Sequence, residues 1–245
     1  MIHKTTVFLA LLTLALSFCG CESNDPDWVS FNITFKAVYD GQPLEADKNY
    51  TYGNRTINFS RFSAYLSGIS VYDGNESQSI SEIEYIDFMA GGPNGVKKNF
   101  NAPPGNYKGL QIGFGVAPNL NNRKPADFPA THPLKENEYW IGWKSYIFTK
   151  VEGNYDTDGD GALESPITQH TGANEVYYEA KLLHDFTVEP NGDITVEFDL
   201  KKLFTFDGVL LDLSLVDNRV TSHTPSNLAL GKKMIGNLNK AGILK

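Results

Sequence analysis

Residues 30–39 alternate without a break: Phe31, Ile33, Phe35, Ala37 and Tyr39 fall on one side, and Asn32, Thr34 and Lys36 on the other. A period of two sends one face into a core and the other toward water, which is a half-buried strand. Asp40-Gly41-Gln42-Pro43 then supplies turn chemistry. The same grammar predicts strands over 59–72, 83–88, 107–116, 175–183 and 193–200, with one more over 209–216. Asp73-Gly74-Asn75 and Pro103-Pro104-Gly105-Asn106 punctuate them. Only the tail changes period. Leu228, Met234, Ile235, Leu238 and Ala241 lie near one helical face, with Thr224 as a cap and Pro225 at the first helical position. Gly231 and Gly236 weaken that helix, so it needs a sheet to pack on. The expectation is an all-β chain: an antiparallel β-sandwich with long loops and a short C-terminal helix, one domain over 30–245.

The N-terminus speaks to location. Lys4 precedes an apolar run from Val7 to Leu16 that is too short to span a bilayer, so residues 1–20 read as a secretory signal. The run ends in Phe18-Cys19-Gly20-Cys21, and Gly20 before Cys21 resembles the lipobox of bacterial lipoproteins. Cys21 is then the lipidated residue, attaching the protein to a membrane. Cys19 fits less well because Phe18 stands where a small residue is expected. Residues 21–29 form an acidic tether, similar to the surface-export signal of Bacteroidetes lipoproteins, and an outer-membrane location follows, facing the periplasm or the surface. A chain beginning at Cys21 keeps no other cysteine, so disulfides and thiolate metal sites are excluded. The formal charge is −8, and losing Lys4 makes it more negative still. No electrostatic case for nucleic acid remains.

Three features could carry chemistry. Asp156-x-Asp158-x-Asp160-Gly161, with Glu164 beyond, offers oxygens at alternate positions and a glycine at the sharp turn, as calcium requires. The twelfth position of an EF-hand loop is here Ile167, so this is a calcium-loop fragment or a solvated acidic turn, and both readings stand. Histidines 132, 170, 184 and 223 are scattered; His132 and His170 flank the aromatic stretch and are the pair expected at a copper or zinc site. That stretch, residues 139–153, holds Tyr139, Trp140, Trp143, Tyr146 and Phe148. Most of these are expected in the core of a single strand, since aromatics dominate sandwich cores. No Gly-x-Ser-x-Gly, phosphate-cradling loop or cysteine nucleophile is present, and no pattern places a carboxylate pair. The chain reads as a non-enzyme.

Several segments then line up in order. Residues 31–39 lead into Gly41-Gln42-Pro43-Leu44, and Arg61-Phe62-x-x-Tyr65-Leu66-Ser67-Gly68-Ile69 follows. Next come Gly105-x-Tyr107-x-x-Leu110-x-Ile112-Gly113-Phe114-Gly115-Val116 and Asn119. The most specific are Tyr139-Trp140, Tyr146-Ile147-Phe148, Lys150-x-Glu152-Gly153 and His170-x-Gly172, with Asn237 near the end. Together they resemble the MbnP-like copper-binding domain family. The resemblance implies a periplasmic or surface β-sandwich lipoprotein. It also implies copper held by histidines, a tryptophan oxidised to kynurenine in some members, and a di-haem peroxidase-like partner. His170 is the histidine it carries over, and Trp140, which matches the aromatic motif, is the one aromatic in contention for the copper site beside His170 and His132. Gly142 stands where the family often has a second Trp, Ser145 where it has Gly, and Glu138 where it has Met. The alternative is a binding or adhesion module that has lost the copper site and keeps structural calcium.

Overall fold

The structure is a computed structural model that describes residues 27–135, 138–220 and 228–245. The signal segment, Cys21, His223, Thr224 and Pro225 fall outside those residues. The longer strands are β1 (Val29–Tyr39), β2 (Arg55–Tyr72), β3 (Ser77–Asp87), β4 (Val96–Ala102), β5 (Gly105–Phe114), β6 (Ser145–Tyr155), β7 (Ser165–Gly172), β8 (Tyr178–Val188) and β9 (Asp193–Asp199). A helix, α1 (Leu228–Ala241), and a short strand, β10 (Gly242–Leu244), close the chain.

Alternation does in β1 what it predicts: Phe31, Ile33, Phe35 and Tyr39 are buried, and Asn32, Thr34 and Lys36 are half-buried on the outer side. β1 is the axis of the smaller sheet, in the order β10-β9-β1, with β4 along its other edge. The β1–β9 pair is parallel, from Asn32 opposite Asp193 to Val38 opposite Asp199, while the other pairings of both sheets are antiparallel. The larger sheet runs β7-β6-β2-β5-β8. Here β2 serves two neighbours on one edge, pairing through residues 57–64 with β6 and through residues 66–72 with β5, while β3 follows the opposite edge. The handover falls at Tyr65, whose carbonyl accepts from Gly115 N–H at 2.9 Å. Nearby, Ser67 Oγ donates to Gly115 O (2.7 Å) and accepts from Ala117 N–H (3.1 Å). These bonds steer the chain out of β5 and over the outer face of the sheet.

The two sheets meet through rings: Tyr39 against Phe59 (5.6 Å between centroids), and Phe198 against both Phe88 (5.4 Å) and Phe114 (6.0 Å). α1 buries Met234, Ile235, Leu238 and Ala241 on the face the period predicts. From the same helix, Asn237 Nδ2 donates to Thr205 O at 2.8 Å and to Leu203 O at 3.3 Å. It thereby satisfies carbonyls orphaned where the short helix Leu200–Leu203 ends.

Edges are where expectation and structure part. β3 begins six residues before Ile83, because Ser77 to Ser81 pair with β2 through their backbone while showing no apolar period. β4 gave no signal, since only Phe100 and Ala102 of it are buried. β8 starts at Tyr178, after a 3-10 turn at Asn174–Val176, and runs on to Val188. The strand expected over 209–216 reduces to Val209–Leu210 paired with Thr205–Phe206. Val209, Leu215 and Val216 are exposed, so their hydrophobicity did not mark a core strand.

Candidate functional site

The aromatic stretch is not one strand. Tyr139–Trp140 pairs back on Ser145 and Tyr146 of β6, and residues 141–144 make the turn, with Lys144 at φ 55°. Tyr146 and Phe148 are core residues, as expected, and Tyr139 packs edge-on against Tyr146 at 4.9 Å. Trp140 and Ile141 are not: they are 45% and 84% exposed at the hairpin tip. The Trp140 indole lies over Gly142, where a Cβ would come within 3.0 Å of its Nε1. The glycine that departs from the family pattern is the one this ring covers.

Below the hairpin, alternation along β6 turns Val151 inward and leaves Lys150 and Glu152 on the outer face. Arg61 of β2 and Thr168 of β7 flank Glu152, while Ser63 and His170 flank Lys150. Two linked groups result. Glu138, at φ 64° with its side chain only 5% exposed, accepts from Arg61 Nη2 (2.7 Å) and Tyr85 OH (3.3 Å) and is ion-paired with Lys150. Beside it, His170 Nε2 and Glu152 Oε1 are 2.7 Å apart. Burial holds the His170 pKa below its ordinary value, more strongly than Glu152 pulls it up. Burial thus favours the neutral form of the ring and Glu152 orients it, as is usual for a metal-ligating imidazole. Sequence reasoning did not single out Glu152 as a partner of His170. The signal was present in the outward Lys150-x-Glu152 alternation, but the register against β7 was needed to use it.

His132 is held elsewhere. Its Nδ1 accepts from Leu134 N–H at 3.1 Å, its ring stacks on Phe128 at 4.3 Å, and its Nε2 faces Glu82 at 3.6 Å. Glu82 lies on β3 and His170 on β7, at opposite edges of this half of the sheet with β6 and β2 between them. Three strand spacings alone separate these strands by about 14 Å, and the register offset adds more. The expected His132–His170 pair does not converge on one ion. Both residues flank the aromatic stretch in sequence, but the hairpin and the width of the sheet part them in space.

The acidic loop joins β6 to β7 and is wrapped around its own carboxylates. Asp156, buried, accepts from Gly159 N–H (2.5 Å) and Gly161 N–H (3.2 Å). Asp158 accepts from Asp160 N–H (3.0 Å), Asp160 from Ala162 N–H (2.7 Å) and Glu164 from Thr157 N–H (2.6 Å). One oxygen of each of Asp156, Asp158, Asp160 and Glu164 lies within 4.8 Å of all the others. Opposite ligands on an ion bound at 2.3–2.6 Å stand roughly 4.6–5.2 Å apart, so the set has the span of a calcium shell. Among the described residues it is the one cluster of three or more His, Cys, Asp or Glu ligand atoms at such spacing, and neither His132 nor His170 belongs to it.

A family model described as MbnP matches residues 29–224. Among solved structures, the chain is similar to MbnP from Methylosinus trichosporium. The two are 18% identical over 74% of this chain and 80% of that one, with a TM-score of 0.49. The comparison with curated proteins gives no match.

Proposed function

Because this chain belongs to the MbnP family, whose model spans residues 29–224, we propose that it is a non-enzymatic copper-handling protein, held at the outer membrane by a lipid on Cys21. The observation that carries the copper reading is the His170–Glu152 pair at 2.7 Å. A neutral imidazole suits copper, and soft Cu(I) accepts low coordination numbers. Glu152 fixes the ring as carboxylates do behind metal-bound histidines. His132 has no part in this site. Trp140, on the hairpin tip and in the family's aromatic motif, is the indole we assign to an oxidising partner of the di-haem peroxidase-like kind that the family resemblance implies.

The test is competition of the mature protein with a chromophoric Cu(I) chelator. His170→Ala is expected to abolish tight binding, Glu152→Gln to weaken it about 10–100-fold, and His132→Ala to leave it unchanged. Unaltered affinity in His170→Ala removes the site. Fractionation of the same cells should show Cys21→Ser moving the protein out of the membrane fraction, and its staying there would remove the anchor.

The second reading is structural calcium at Asp156, Asp158, Asp160 and Glu164, favoured by their mutual spacing within 4.8 Å. A melting temperature raised by calcium but not by copper would separate it from the first.

A further inference from the structure

The net charge of −8 is unevenly distributed: residues 218–245 contain five Lys or Arg and no Asp or Glu. Three of these cations, Lys232, Lys233 and Lys240, line a surface groove of about 300 Å³ between α1, the start of β8 and the short strand Thr205–Phe206. None of the three enters an ion pair among the described residues. One acid, Asp207, shares the lining. Two rings also line it, beside Gly236 and Asn237: Phe206, whose centroid is 5.9 Å from Lys233 Nζ, and Tyr178, 42% exposed. A second hollow of about 390 Å³ shares Tyr178 and adds Lys181.

Gly236 shows that the groove is more than a chance cluster of lysines. It sits inside α1, where glycine is among the poorest helix formers. A Cβ built there would meet nothing within 4 Å, so close packing does not demand its smallness. The space above it is the groove itself. Glycine leaves helix backbone open to the close approach of a flat ligand, while rings and unpaired cations around it supply stacking and charge.

We propose that this groove binds a small organic anion with a planar aromatic body, its ring lying over Gly236 beside Tyr178 and Phe206 and its carboxylate or phosphate held by Lys232, Lys233 and Lys240. The site shares no residue with the copper or calcium readings and stands independently of them.

The test is an amide-resolved NMR titration of the mature protein with phenyl phosphate, benzoate, inorganic phosphate and neutral benzyl alcohol. At least one aromatic anion is expected to shift Tyr178, Gly236 and Lys240 saturably, at least tenfold more tightly than inorganic phosphate or benzyl alcohol. Which of the two wins identifies the head group. Lys233→Gln/Lys240→Gln should weaken that binding at least fivefold with the melting temperature unchanged. Gly236→Ala should weaken it while raising the melting temperature. The proposal is overturned if neither aromatic anion binds more tightly than both controls, or if the double variant binds like the wild type.

Discussion

His170 carries its prediction in its titration. Desolvation outweighs the pull of Glu152, so the folded ring loses its proton more readily than an exposed imidazole. As pH falls below about 6.5, the unfolded chain takes up this proton before the folded protein does. The stability that neutral His170 contributes is therefore present above that value and is lost as pH falls through the depressed folded pKa. Melting temperatures of wild type and His170→Gln, measured from about pH 8 downward, should keep a constant difference until about 6.5, below which the wild type loses ground. A difference that does not change with pH would mean the ring is not desolvated as the geometry requires. Its place beside the aromatic stretch and the family pattern both point to this residue, since one histidine among the four beyond residues 1–20 says nothing of burial. Its partner Glu152 lies 18 positions away in sequence and became visible only through the pairing of β6 with β7.

Elements whose buried positions are apolar and periodic declared themselves, the edge strand β8 among them. β7 did not, because its buried positions include Gln169 and Thr171 beside Ile167. β1 and β9 alternate because one side of each meets the core; β4 and the first half of β3 pair through their backbone at sheet edges and need no apolar period. The 139–146 hairpin was missed because its aromatics suggested one continuous strand, whereas Gly142 and left-handed Lys144 make a turn. Glycines divide the same way. Gly115 ends the run that leaves β5 at φ 102°, and a Cβ there would stand 2.3 Å from the buried Phe148 ring. Gly115→Ala combines backbone strain with overpacking and should destabilise by about 3 kcal/mol in denaturant unfolding. Gly236→Ala, in helical backbone with open space, should stabilise by about 0.5–1 kcal/mol. Equal effects of the two substitutions would contradict the packing at Phe148.

At the scale of the molecule, the sheet is a ruler. Fold class was readable because periodicity is local, but the distance between sites depends on strand order and register, which no local pattern encodes. That is why His132 and His170 looked like a pair in sequence and stand at opposite edges in space, while the four acids of one loop, neighbours in sequence, stay neighbours in space. The same ruler separates the acidic loop from His170: the loop closes the hairpin at Ser165 opposite Tyr155, and His170 lies five residues up β7, about 17 Å away. Sites that far apart without shared partners act additively. Calcium at 100 times its dissociation constant would stabilise the folded chain by about 2.7 kcal/mol, a rise of roughly 5–10 °C for a domain of this size. That rise should be the same in His170→Ala as in wild type, and should shrink in Asp158→Asn while Cu(I) affinity holds. A calcium response that vanishes with His170 would place both ions in one coupled site, which the strand register does not allow.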